Sequence, residues 1–222
     1  MQPDRTGFKY PRVNLSECVD WKLCEKVCPI LQKSAPRKPI HVYAVKHLDE
    51  PIRLQSSSGG LFSIIAERTL KDGGNVYGAA FDSNWGIHHI AIHNIDDLWK
   101  LRGSKYVQSN LNESYQLIKE QLQRGDKVLF SGTPCQIAGL KQFLGEVSPN
   151  LQTVEVICHG VPNPRIWQDF LDEQQIANER AKREDALTIS EEHSSIVGIN
   201  FRDKSKGWRN YGFVHYCPVN VG

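Results

Sequence analysis

"KVLFSGTPCQIAGLKQFLG", residues 127–145, decides the fold class. Lys127–Gly132 reads as a strand. Thr133 then serves as a helix N-cap and Pro134 takes the first helical position, where proline is favoured. Ile137, Leu140 and Leu144 fall on one helical stripe. The next apolar run, "TVEVICHG" (residues 153–160), is a second strand. A strand that feeds a helix and then another strand is the repeating unit of an α/β sheet.

The same alternation extends outward. "IHVYAVK" (40–46) reads as a strand, and "GGLFSIIAERTL" (59–70) as a helix that ends in Lys71-Asp72-Gly73-Gly74. "NVYGAAF" (75–81) is a buried strand and "IHHIAIHN" (87–94) its neighbour. Leu111, Tyr115, Ile118 and Leu122 share a helical face that stops at Gly125. Residues 163–186 form a helix, apolar at Ile166, Trp167, Phe170 and Leu171 and then polar, which projects outward. "VGINFRD" and "YGFVHYC" pair as strands around the turn "KSKGWRN". The expectation is an α/β domain over residues 40–222, its sheet mostly parallel or mixed and flanked by helices. Residues 1–39, broken by Pro3, Pro11, Pro29, Pro36 and Pro39, form an irregular appendage.

The chain has 222 residues, 40% hydrophobic and 23% charged, enough to bury a core. A net charge of +2 gives no bulk attraction to nucleic acid or membrane. No apolar run is long enough to span a bilayer, and Met1–Arg5 does not begin a signal peptide. The expected location is the cytoplasm, where thiols stay reduced and clustered cysteines suggest metal or redox chemistry. Cys217, between Tyr216 and Pro218, suits simple burial. "CVDWKLCEKVCPI" (18–30) does not. Its Cys18, Cys24 and Cys28 match three of the four positions of a ferredoxin run, Cys-x2-Cys-x2-Cys-x3-Cys-Pro, with Trp21 at the second.

Three strand-to-helix junctions carry candidate chemistry. In "SSSGGLF", Ser57, Ser58, Gly59 and Gly60 open a helix whose free N–H groups suit a phosphate, although Ser-Gly-Gly is also an ordinary cap. In "SGTPCQ", Cys135 sits in the first turn, where the positive helix end favours a thiolate. In "VICHG", Cys158 and His159 end a strand, so His159 would face Cys135 if the two strands are neighbours. That pair permits nucleophilic catalysis with histidine as base, or cofactor binding. "GSKYVQS" (103–109) adds Lys105 for a phosphate and Tyr106 for a ring, or is a solvated loop.

Taken in order, "IRLQSSSGGLF", "GGNVYGAAFD", "LRGSKYVQS", "FSGTPCQIAGLKQFL", "VICHGVPNPRIWQDFL" and "INFRDKSKGW" closely resemble the coenzyme F-420 hydrogenase/dehydrogenase beta-subunit family. The resemblance implies an iron–sulfur flavoprotein. An FAD would sit on the α/β domain, and 4Fe-4S clusters would pass electrons to a partner subunit or a redox coenzyme, including a deazaflavin. By motif, Ser57, Ser58, Gly59, Gly60, Lys105, Tyr106, Gln108, Thr133, Pro134 and Cys135 would surround the flavin, with Cys158 and His159 close by. Cys18, Cys24 and Cys28 would be the cluster ligands of residues 1–39, a partial ferredoxin-like segment.

The departures from the family are specific. "DRTGFKYP" resembles the segment between two ferredoxin runs, the first run is missing, and Trp21 replaces a cysteine of the second. The chain ends at "CPVNVG", just after a strand, and reads as shortened at both ends. The expectation is a damaged metal site. Two other functions compete with the flavoprotein: a cysteine-dependent hydrolase or transferase that uses Cys135 and His159, and a folded remnant without catalysis.

Overall fold

The computed structural model describes residues 2–32, 38–146, 148–183, 200–203 and 207–210. The chain divides into two compact units. One comprises Met1–Glu17, Lys105–Gln108 and His159–Gly222, and the other Cys18–Ser104 and Ser109–Cys158.

In the first unit, β1 (Gln2–Pro3) and β2 (Lys9–Tyr10) pair antiparallel. Asp4 shapes the turn between them. Its carboxylate accepts the Thr6 and Phe8 backbone N–H groups and the Thr6 hydroxyl, which holds it below the usual carboxylate range. The other unit contributes α1 (Leu23–Lys26), α2 (Glu50–Leu54), α3 (Leu61–Lys71), β3 (Asn75–Phe81) and β4 (Ile87–Ile92). A 3-10 helix (Ile95–Leu101), α4 (Ser114–Gln123), β5 (Val128–Gly132), α5 (Pro134–Leu144) and β6 (Leu151–Glu155) complete it. Back in the first unit, α6 spans Pro164–Arg183, and β7 (Asn200–Asp203) pairs antiparallel with β8 (Gly207–Asn210).

The sheet is mixed, in the order β4-β3-β5-β6. β3 runs antiparallel to β4 and parallel to β5, and β5 runs parallel to β6. Successive strand residues point to opposite faces, and each face has its own apolar layer. Val76, Ala80 and Leu129 pack with Ala66 and Leu70 of α3 and with Leu98 and Leu101 of the 3-10 helix. Tyr77, Val128 and Phe130 pack with Ile118 of α4 and with Ile137 and Leu140 of α5. Gly78 makes room for the first layer, because a β-carbon there would lie 3.3 Å from the Leu101 side chain. The expected α/β fold with helices on both faces is therefore present, and β4 is the expected neighbour of β3.

Two expectations are corrected. Residues 40–46 are not a strand. Helices already cover both sheet faces, and the alternating apolar side chains meet neither: Ile40 is 90% and Val42 84% exposed. The partner of Asn200–Asp203 is Gly207–Asn210, inside the stretch read as a turn, while residues 211–217 lie outside those described. No helix among the described residues is long and apolar enough to cross a membrane.

Candidate functional site

α3 starts at Gly60, whose φ of +80° is a left-handed conformation that glycine adopts without strain. No side chain caps this end, so the first-turn N–H groups are left for another acceptor. Beside it lies a recess of about 530 Å³ bounded by Lys46, Glu50, Arg53, Leu54 and Ser56–Gly59. Of the two cations that line it, Arg53 is held by Glu50, which leaves Lys46 and the uncapped N–H groups to face an anion. Gly59 has a different reason to be glycine. Its missing β-carbon would lie 2.2 Å from the Val45 carbonyl oxygen, and its own carbonyl accepts the His47 N–H at 2.6 Å. The residue thus admits the chain's own backbone.

The loop entered at Arg102 is fastened to this end of α3. Arg102 donates to the Ser63 hydroxyl at 3.1 Å and to the Gln55 side-chain carbonyl at 2.8 Å, and its guanidinium is 3.9 Å from the Glu67 carboxylate. The Ser57 hydroxyl oxygen accepts the Ser104 backbone N–H. Two of the candidate stretches, "QSSSGG" and "RGS", are therefore joined through side chains. Lys105 follows directly. It is half-buried, and loss of hydration pulls its amine down to about 8. Lys105, the exposed Tyr106 and Gln108 belong to the other unit.

At the β5–α5 junction Thr133 is the N-cap and Pro134 occupies the first turn, as expected. Gln136 reaches back to accept the Thr133 N–H at 3.0 Å, half of a capping box. Cys135 is exposed, with its sulfur 3.1 Å from the Thr133 hydroxyl oxygen. Tyr115 donates to the Gln136 carbonyl at 2.6 Å, and burial raises its phenol, with nearby Cys135 adding to the effect.

The third junction differs from expectation. β5 and β6 are neighbours, but β6 stops at Glu155, so Cys158 and His159 lie beyond the strand and are exposed. Cys135 and His159 also fall in different units.

A histidine that sequence reasoning passed over occupies the sheet interior. His89 of β4 is buried, 2.6 Å from the Ser109 hydroxyl and 3.0 Å from the Ser131 carbonyl oxygen. It stacks on Phe130 with centroids 5.1 Å apart. Burial depresses its basicity. The available signal was the alternation of "IHHIAI", which puts His89 on the same strand face as Ile87 and Ala91.

The cysteine segment gathers no metal site. Cys18 and Cys24 are exposed and Cys28 is half-buried. α1 buries no side chain, and Trp21 is 75% exposed. Among the described residues no three His, Cys, Asp or Glu side chains converge to hold a metal ion. These residues do not fit a 4Fe-4S cluster.

Residues 125–211 match the family that comprises the C terminus of the coenzyme F420 hydrogenase/dehydrogenase beta subunit. That segment, less than half of the chain, is similar to this family. The family's region thus takes in the β5–α5 junction, Cys158, His159 and α6. No curated protein matches the chain. Among solved structures, the chain is similar to one from the F420-reducing nickel–iron hydrogenase complex of Methanosarcina barkeri, studied by xenon derivatization. Identity is 21%, the TM-score is 0.45, and the match covers 59% of this chain and 49% of that one. The chain therefore spans about half the length of that neighbour.

Proposed function

We propose that this chain is a redox subunit of the beta-subunit type that binds FAD and exchanges electrons with a partner subunit or a small redox coenzyme, a deazaflavin among the candidates. The observation that carries this reading is the family match over residues 125–211, which contains the Thr133–Cys135 turn. Support from outside that segment is the uncapped N-terminus of α3, its adjacent recess and the Ser57–Ser104 and Arg102 links.

In this proposal the backbone around Ser57, Ser58, Gly59 and Gly60 receives the FAD phosphates. Lys105 contributes charge, Tyr106 a ring face and Gln108 an amide, and Thr133, Pro134 and Cys135 form the rim. When bound, FAD supplies the redox chemistry by accepting and delivering electrons. The chain's residues bind and orient it and limit water around it. Residues 1–39 as an appendage, residues 40–222 as the flavin domain and a cytoplasmic location belong to the same proposal. No step is assigned to an iron–sulfur cluster.

The test is to titrate FAD into the purified protein and follow flavin fluorescence, alongside the absorbance spectrum of the protein as isolated. Saturable quenching is expected. A colourless protein with no quenching, together with turnover blocked by thiol alkylation, would replace this reading with the cysteine-dependent one.

A further inference from the structure

β3 and β5 part company at a definite point. Their register runs Asn75↔Val128, Val76↔Leu129 and Tyr77↔Phe130, and goes no further. In a parallel ladder alternate residues turn their backbone groups to opposite sides. The Gly132 carbonyl accepts the Val156 N–H on the β6 side. The Ser131 carbonyl therefore points toward β3, just past the last paired residue. A carbonyl left without a donor there would be costly.

His89 supplies that donor from β4, on the far side of β3. A carbonyl oxygen only accepts, so Nε2 carries the proton and donates to Ser131. Nδ1 is then the acceptor, and the Ser109 hydroxyl donates to it. Ser109 is itself held in place by the next residue. Asn110 accepts the His89 N–H and donates to the Ile87 carbonyl, both at 2.8 Å. The imidazole thus spans the opening between the strand ends, packed on Phe130. One of its contacts lies at the end of the Gly103–Ser109 stretch. The other lies two residues before Thr133. In open α/β sheets, ligands bind beyond the carboxyl ends of such strands.

The geometry points to His89 as a positioning residue: it locks the Ser109–Asn110 segment and the Ser131–Cys135 turn into one fixed relation. Where this concerns flavin binding, it rests on the function proposed above.

Hydrogen exchange resolved by peptide tests the coupling directly. Ser109→Ala removes a contact at one end only. It should speed exchange of residues 131–136 at the other end about tenfold, the scale of one lost hydrogen bond. α3 and α4 should exchange as before. His89→Leu should loosen both segments. His89→Gln, which keeps a donor and an acceptor, should restore most of the protection. Unchanged exchange at 131–136 in Ser109→Ala would overturn the coupling. So would equal acceleration in α3 and α4, which marks general loosening, or His89→Leu and His89→Gln behaving alike. FAD titration of the same proteins is the second arm. If wild type binds FAD, His89→Leu should bind at least severalfold more weakly and His89→Gln close to wild type. Equal binding by His89→Leu would overturn the positioning role at the flavin site. If wild type binds no FAD, the flavin reading falls, and the exchange arm alone decides the role of His89.

Discussion

The hydroxyl oxygen of Ser57 accepts the backbone N–H of Ser104 at 2.6 Å and is hydrogen-bonded to the Ser104 hydroxyl at 2.9 Å. Two stretches 47 positions apart in sequence therefore meet at the start of α3. Ser57→Ala should cost about 1 kcal/mol in urea unfolding, the net worth of such a bond. An unchanged midpoint would mean that the Ser57 hydroxyl adds nothing to the hold on this loop.

Arg102 holds the same loop with a charge. Its guanidinium, 13% exposed in its side chain, spans Ser63, Gln55 and Glu67. Arg102→Ala should lose about 1.5–3 kcal/mol, since these bonds involve a charged donor. Arg102→Lys should recover little, because a single ammonium cannot reproduce a planar fork. Equal stability of Arg102→Lys and wild type would refute the need for a planar fork at this position.

Gly59→Ala should be destabilising by about 1–3 kcal/mol, as for overpacking, because the new carbon would press on the Val45 carbonyl. Gly73 also has a positive φ, of +76°, but nothing within 4 Å of its absent β-carbon. Gly73→Ala should cost only backbone strain of about 1–2 kcal/mol. Thermal unfolding of the two alanine variants gives the comparison, and a fully stable Gly59→Ala would contradict the backbone contact.

His89 links stability to pH. Burial lowers its folded-state pKa below the ordinary histidine value of about 6.5. Below that value the unfolded chain takes up a proton that the folded chain refuses. The contribution of neutral His89 is thus complete above about pH 6.5 and is lost as pH falls through it. The stability difference between wild type and His89→Gln should shrink between about pH 7.5 and 5. A difference independent of pH would show that His89 is not held neutral.

Lys105 should acylate with a midpoint near pH 8, against about 10.4 for an ordinary lysine. Competitive labelling across pH, read lysine by lysine in a mass spectrometer, measures it. Inorganic pyrophosphate should raise the midpoint, since an adjacent anion stabilises the ammonium. No change with pyrophosphate would remove Lys105 from the phosphate-binding set.

The parts of the fold legible in sequence are those where local chemistry and burial agree. Thr133-Pro134 after an apolar run fixes both a strand end and a helix start, Gly60 opens a helix, and the helix before Gly125 ends there as expected. "IHVYAVK" misleads because alternation reports a strand only if a core lies on one side, and Ile40 and Val42 have none. "GWRN" was hidden because Gly207 and Asn210 look like turn residues, while its pairing with Asn200–Asp203 is tertiary. For His89 the strand alternation places it on a buried face, but its role was hidden for a related reason. Histidine is intermediate in its tendency to be buried, and both of its partners, Ser109 and Ser131, are distant in sequence.

β3 also sets an order of events. It closes onto β4 through the short turn 82–86, but onto β5 only after residues 82–127 have been passed. Loop closure is cheaper and faster for the first pairing than for the second. A chain emerging from the ribosome can therefore make the β3–β4 hairpin early. Until β5 is synthesised, Val76, Tyr77 and Ala80 remain on a two-stranded ribbon whose β3 edge has no partner, an interval in which the chain is exposed to misassembly.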